Sequence, residues 1–135
     1  MCDFAAVKLL KGFDLKIQRV VSDAKGRSDA VSFNGLAYVV AYDPNAASGI
    51  EAQTRNSLQF LDAKLAEVRS NKEALLQATV YLSDMKMKAD MDEIWCEWIG
   101  ASKNWPQRAC VGADLGDDVT LIEIVVIAVQ KPEAL

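Results

Sequence analysis

Three residues near the C-terminal end of the chain are of types that could do chemistry together. Glu123 is the one carboxylate inside the apolar run LIEIVVIAV, residues 121–129. A buried carboxylate without a partner is strongly destabilising or takes up a proton, so Glu123 needs a partner. Arg108 and Cys110 stand upstream in QRACVGA, which we also predict to be a strand.

A simple hairpin provides that partner. If the two strands pair in antiparallel fashion with the turn in DLGDD, Glu123 lies opposite Arg108 and Leu121 lies opposite Cys110. Opposed residues have Cβ atoms about 5 Å apart. Spacing alone favours a structural ion pair over a catalytic one, since ion pairs also shift pKa values without doing chemistry. Cys110 by itself is interpreted as a small buried hydrophobic residue, because nothing in the sequence offers its thiol a base.

The absence of histidine excludes several kinds of chemistry. Without imidazole the chain has no Ser-His-Asp or Cys-His nucleophile system and no typical His-ligated catalytic metal site. Three cysteines without a short spacing, Cys2, Cys96 and Cys110, predict free thiols rather than disulfides or a zinc site. Catalysis must therefore use carboxylate, arginine, thiol, hydroxyl or water.

Length and charge narrow the class of protein further. A chain of 135 residues with 51% hydrophobic content predicts one domain over residues 1–135. Its longest apolar run is far shorter than the roughly 20 residues of a membrane span, and its N-terminal part lacks the apolar core of a secretory signal. We therefore predict a cytoplasmic protein without a membrane partner. The net charge of −4 argues against nucleic acid as a partner.

The elements that must position the candidate residues alternate regularly along the chain. The dipeptide Asn34-Gly35 is a strong hairpin signal. Apolar residues repeat with helical spacing twice, in Leu58, Leu61, Leu65 and Val68 and again in Met91, Ile94, Trp95 and Trp98. The predicted order is a strand, a hairpin, a helix, a strand, a helix and two strands, over residues 14–21, 29–42, 50–70, 74–84, 88–100, 107–113 and 119–129.

This order predicts an α+β fold in which two helices pack on one face of a mixed sheet. The final strand is apolar on both faces, so both faces must be covered. The helices cover one face. Another subunit is the usual cover for the second face in a small domain.

Three motifs carry a family resemblance over roughly residues 26–129. The segments QTRNSL, ATVYLSDM and PQRACV followed by IEI resemble, in this order, signatures of the Rid family, also called the YjgF or reactive-intermediate deaminase family. GRSD and SNK resemble one branch of that family. The resemblance implies a chorismate-mutase-like (ferredoxin-like) fold, a homotrimer and ligand sites in the clefts between subunits.

The resemblance also implies roles for individual residues. Arg108 matches the arginine that holds a substrate carboxylate, Glu123 the acid associated with the attacking water, and Cys110 a cysteine lining the same cleft. A guanidinium suits this role because it binds a carboxylate through two parallel hydrogen bonds. Arg27 stands where better-known members have a tyrosine, and is either a second anion contact or a solvated turn residue. Ser28 and Tyr42 are further candidate cleft residues.

The implied function is hydrolytic deamination of small enamine or imine acids to 2-keto acids and ammonia, without a metal or organic cofactor. Arg108 would orient the carboxylate and Glu123 would place the water. A non-catalytic module that binds small carboxylates, such as 2-keto or amino acids, is the main alternative. An endoribonuclease or translation inhibitor is a further alternative, against which the net negative charge and the lack of an aromatic and basic stripe argue.

Overall fold

The computed structural model describes residues 15–132, so Cys2 and the predicted strand start at Asp14 lie outside the described residues. Within residues 15–132, the structure has six strands and two α-helices, with short 3-10 turns between them. The strands are β1 (Gln18–Val21), β2 (Ser28–Phe33), β3 (Leu36–Ala41), β4 (Leu75–Leu82), β5 (Gln107–Gly112) and β6 (Ile122–Val129), and the helices are α1 (Ile50–Glu67) and α2 (Lys88–Ile99).

All six strands form one mixed sheet in the order β1-β2-β3-β6-β4-β5. Every neighbouring pair is antiparallel except β4 and β5, which run parallel. The predicted α+β class, with two helices on a mixed sheet, is confirmed. None of the helices within residues 15–132 is long and apolar enough to cross a membrane.

The predicted hairpin between the last two strands is wrong, because β4 lies between β5 and β6. Arg108 pairs with Ala78 of β4, and Glu123 pairs with Tyr81 on the other side of the same strand. The physical reason is the βαβ unit formed by β4, α2 and β5, since a crossover helix returns the chain parallel to the strand it left. The apolar strand β6 then takes a central position between β3 and β4, where both of its edges are paired.

The core lies between the helices and one face of the sheet. Ile122, Ile124 and Val126 of β6 point into it and are almost fully buried. The helical stripe of Leu58, Leu61, Leu65 and Val68 covers them from α1 and the turn after it, as its spacing predicts. Burial of this apolar surface is the main stabilising contribution to the fold.

The second face of the sheet carries apolar side chains in contact with solvent. Tyr38 and Val40 of β3 and Val125 and Val129 of β6 are between 36% and 43% exposed. They alternate with core residues along their strands, as the period of two requires. We call this surface the open sheet face.

Local signals in the sequence set the turns as predicted. Asn34 and Gly35 both have positive φ, 49° and 86°, as a two-residue hairpin turn between β2 and β3 demands. Gly100 has φ 75° and ends α2. The side chain of Gln53 on α1 fixes the start of β6, because its amide donates to the carbonyl of Val119 and accepts from the amide of Leu121.

Candidate functional site

Arg108 and Cys110 lie on β5, a strand at the edge of the sheet. Their partners on β4 are Ala78 and Val80, which are fully buried on the helical side. The side chains of Arg108 and Cys110 therefore also point to the helical side of the sheet, towards α2.

Helix α2 holds the Arg108 guanidinium through three contacts. The Nη2 atom donates to Oδ1 of Asp92 at 2.6 Å. The Nη1 atom lies 3.9 Å from the sulfur of Met91, and the guanidinium carbon lies 5.3 Å from the centre of the Trp95 ring. A hydrogen bond and an aromatic face together fix the orientation of this planar group.

Lys88 completes a cluster of charges around Asp92. Its Nζ atom lies 2.5 Å from Oδ2 of Asp92, so one carboxylate bridges two cations. Burial raises the pKa of Asp92, but the hydrogen bonds and charges of Lys88 and Arg108 outweigh burial and leave that pKa below its ordinary value. At neutral pH the Lys88–Asp92–Arg108 cluster thus carries two positive charges and one negative. Its net positive charge suits an anionic ligand.

The Cys110 thiol is next to this cluster but is not activated by it. Burial raises the pKa of the thiol, and the charges of Arg108 and Lys88 only partly oppose that rise. A thiol with a raised pKa is protonated at neutral pH and is a weak nucleophile. The structure describes Cys96 and Cys110 as free thiols, as predicted.

A groove of about 320 Å³ opens beside Arg108, between α2 and the chain that enters β5. We call it the β5 groove; besides Arg108, its lining comprises Asp92, Trp95, Cys96, Ile99, Trp105 and Pro106. One end of the groove is charged and the rest is largely apolar and aromatic. Within residues 15–132, no group of three or more Cys, Asp or Glu side chains is arranged to hold a metal ion.

Glu123 lies on the other side of the sheet from Arg108. Its neighbours along β6, Ile122 and Ile124, point into the core, so Glu123 points to the open sheet face beside Tyr81. One chain therefore does not bring Glu123 and Arg108 together. The predicted ion pair between them is wrong, and Asp92 is the acid that pairs with Arg108.

The remaining candidates, Arg27, Ser28 and Tyr42, lie in the half of the sheet farthest from β5. Arg27 is an exposed residue of the turn before β2, and its carbonyl accepts from the amide of Ser22. Ser28 is the half-buried first residue of β2. Tyr42 follows β3 and packs on Phe60 of α1 with ring centres 4.7 Å apart. These three residues do not share a site with Arg108 within one chain.

Lys88, Asp92 and the contact of Trp95 with Arg108 are not among the features predicted from the sequence. The apolar helical stripe that contains Trp95 predicts a core position, and Trp95 is buried. Lys88, Asp92 and Trp95 repeat at helical spacing, so they share one face of α2. That spacing could have indicated a charged edge on the apolar stripe, but only the parallel pairing of β5 places Arg108 against it.

The sequence profile of the family described as Endoribonuclease L-PSP matches residues 18–130 of the chain. A RutC family protein of Haemophilus influenzae is 36% identical over 116 residues, which cover 84% of this chain and 98% of that protein. The chain belongs to the YjgF/RutC/L-PSP family. The predicted family is therefore confirmed.

Solved structures of YjgF/RutC/L-PSP proteins share the fold. A member of the YjgF protein family from Neisseria meningitidis superposes with a TM-score of 0.79 at 33% identity, covering 87% of this chain and 97% of that one. A putative translation initiation inhibitor from Salmonella typhimurium gives a TM-score of 0.76 at 33% identity, covering 86% and 99%. The fold of this YjgF/RutC/L-PSP chain is thus that of its relatives.

Proposed function

We propose that this protein hydrolyses small enamine or imine acids to 2-keto acids and ammonia. The observation that carries the proposal is the Lys88–Asp92–Arg108 cluster at the edge of the sheet. The Arg108 guanidinium is held in one orientation and is 21% exposed at the side chain, so it is open to a ligand. A fixed guanidinium in a net positive cluster suits the carboxylate of such a substrate.

The substrate needs little activation by the protein because the imine carbon is already electrophilic. Water adds to that carbon, forming a C–O bond while the electrons of the C=N double bond take a proton at nitrogen. The hydroxyl proton of the resulting carbinolamine then moves to nitrogen, the C–N bond breaks as the C=O bond forms, and ammonia leaves the keto acid. In this scheme Arg108 orients the carboxylate, and Glu123 accepts the proton of the water and returns it to nitrogen. The scheme needs no metal and no organic cofactor.

We propose that the complete site forms between subunits of a homotrimer. Within one chain Arg108 and Glu123 point to opposite sides of the sheet, so a second chain has to supply one of them. The exposed valines and tyrosine of the open sheet face support such an assembly, because contiguous apolar surface is typical of subunit contacts. In this arrangement Arg27, Ser28 and Tyr42 of one subunit line the wall opposite Arg108 of another.

Imine turnover with matched arginine variants tests the proposal. A dehydratase generates 2-iminopropionate or 2-iminobutyrate in solution, and keto-acid release is followed with and without the protein. We expect the wild type to accelerate release and Arg108→Ala to abolish the acceleration. Arg55→Ala is the matched control, since Arg55 lies on α1 in an exposed ion pair with Glu97.

The role of Glu123 is tested separately from binding. We expect Glu123→Gln to retain keto-acid binding while slowing turnover, if the carboxylate handles a proton. Full activity of Arg108→Ala would show that Arg108 does not orient the substrate carboxylate in this chain.

A second candidate is non-catalytic binding of 2-keto or amino acids in the same place. One observation favours it: the acid beside Arg108 in the chain is Asp92, whose lowered pKa makes it a weak base. Saturable binding of a keto acid, together with no acceleration of keto-acid release from any of a panel of imines, would support this second candidate over the deaminase. RNA cleavage is the weakest candidate, because the net charge of −4 opposes binding to a phosphate backbone.

A further inference from the structure

We propose that the β5 groove selects substrates with a large apolar side chain, above all an aromatic one. The proposal rests on the proposed function, because it takes Arg108 as the contact of the substrate carboxylate. The inference adds a second contact region for the substrate, the apolar end of the groove, where Trp105 and Pro106 precede β5. The ligand class is a 2-imino or 2-keto acid with a ring or a branched chain.

Trp105 is the feature that points to this class. Trp105 is 64% exposed, which is unusual for the largest apolar residue. The indole Nε1 donates to the carbonyl of Gly100 at 2.9 Å, so the only polar atom of the side chain already has a partner. What Trp105 presents outward is a ring whose position is fixed. Fixed aromatic rings of this kind are typical of binding sites.

The loop that carries Trp105 is itself held by the end of α2. The amide of Asn104 donates from its side chain to the carbonyl of Ile99 at 3.2 Å, and the backbone amide of Trp105 donates to the carbonyl of Ser102 at 3.1 Å. Gly100, with φ 75°, starts this turn. The ring is therefore preorganised, which reduces the entropy lost when a ligand packs against it.

The size and charge of the groove complement an acid with a large side chain. Trp105 and Arg108 are three residues apart in nearly extended chain, which separates their Cα atoms by about 10 Å. A short acid held at Arg108 leaves the Trp105 end of the 320 Å³ groove empty. A longer acid fills both ends, with its carboxylate at the net positive cluster and its apolar side chain against Trp105, Ile99 and Pro106.

The test compares two imines that differ only in side chain. An amino-acid oxidase, with catalase to remove peroxide, generates the imine of phenylalanine or of alanine, and keto-acid release is measured with and without the protein. We expect wild-type kcat/KM to be at least about tenfold higher for the phenylalanine-derived imine, as one filled apolar pocket typically discriminates. Trp105→Ala should reduce this ratio to near one, and Trp105→Phe should give an intermediate ratio.

Trp98→Phe provides the matched control. Trp98 is also partly exposed, but it lies in a separate groove between α1 and α2 with Leu58 and Ile94. Its indole donates to Asp62 at 3.1 Å and does not line the β5 groove. We expect Trp98→Phe to keep the wild-type preference between the two imines.

The outcomes separate this inference from the proposed function. Equal wild-type kcat/KM for both imines overturns the selectivity and leaves the deaminase proposal standing. If the wild type accelerates neither imine, the deaminase proposal fails. Titration with phenylpyruvate and pyruvate then tests whether the β5 groove prefers the acid with the larger side chain. Tighter phenylpyruvate binding that is lost in Trp105→Ala supports the groove; equal binding or none overturns it. If Trp105→Ala instead dissociates the assembly in sedimentation, a second copy of the chain occupies the groove and the inference is wrong.

Discussion

At the scale of single residues, Arg108 owes its orientation to α2 rather than to the strand that carries it. Asp92 fixes one edge of the guanidinium, and Trp95 lies against its face. A side chain held by a hydrogen bond and an aromatic ring loses less conformational entropy when it binds a ligand. Cys110 faces the same helix. Burial is the largest effect on the pKa of its thiol and raises that pKa, so the thiol stays protonated at neutral pH.

The first prediction concerns the two described thiols. Cys96 is exposed, whereas Cys110 is half-buried, and burial raises the pKa of the Cys110 thiol and so lowers its thiolate fraction at pH 7.5. Because alkylation requires the thiolate, we expect iodoacetamide to modify Cys96 at least about ten times faster than Cys110. Peptide mass spectrometry over a time course measures both rates. Faster labelling of Cys110 would mean that the neighbouring cations outweigh burial.

At the scale of secondary-structure elements, the charges of α2 join the helix to the edge of the sheet. β5 has a strand neighbour on one side only, so its outer edge depends on side-chain contacts for support. The bridge from Asp92 to Arg108 links α2 to β5, and Lys88 stabilises the same carboxylate from within the helix. This link is both a structural contact and one end of the β5 groove.

The second prediction is a pH dependence of that link. The folded-state pKa of Asp92 lies below its ordinary value of 3.8, so its stabilising effect is complete above that value and is lost as pH falls through the folded-state pKa. We expect Asp92→Asn to lower the free energy of unfolding by about 1 kcal/mol at pH 7. Urea unfolding at equal protein concentration should show the difference shrinking as pH falls below 3.8. A constant difference across this range would exclude the charge as its cause.

The third prediction concerns the hairpin between β2 and β3. Gly35 has φ 86°, a conformation that a residue with a Cβ atom adopts only with strain. We expect Gly35→Ala to lower the free energy of unfolding by about 1–2 kcal/mol. Gly116→Ala is the matched control, because a Cβ there meets nothing within 4 Å. Urea unfolding of both variants measures the difference, and equal stability of the two would contradict the argument.

At the scale of the whole molecule, the sheet has one covered face and one open face. The open sheet face exposes Tyr38, Val40, Val125 and Val129, all from the two strands at its centre, β3 and β6. Burial of such a surface contributes about 25 cal/mol per Å² of apolar area, so association of chains through it is favourable. The proposed homotrimer would use this face and would also provide Glu123 with a route to Arg108 of another chain.

The fourth prediction tests that assembly. We expect the wild type to sediment as a trimer at micromolar concentration, and Val125→Asp to shift it to monomer, because a charge at the centre of the face must be desolvated on association. Val119→Asp is the matched control, since Val119 is 56% exposed in the loop before β6, away from the open sheet face. A monomeric wild type, or equal dissociation of both variants, would refute the proposed assembly.

Local patterns in the sequence determined most of the elements. Hydrophobic periodicity predicted both helices and their buried stripes, except that Trp98 of the second stripe is only partly buried. Asn34-Gly35 predicted a hairpin whose backbone has the expected positive φ values. The apolar run around Glu123 correctly indicated a strand with apolar residues on both faces. These signals are readable because they depend on neighbours within a few residues along the chain.

Only the tertiary structure decided which strands are neighbours and which acid meets Arg108. A simple hairpin pairs the last two strands, but β4 lies between β5 and β6 and separates Arg108 from Glu123. Pairing depends on how the whole sheet buries its most apolar strand and on the parallel return that α2 imposes, and neither is a local property of the sequence. For that reason Arg108 and Cys110 could be identified as candidates from the sequence, whereas Lys88, Asp92 and the contact between Asp92 and Arg108 could not.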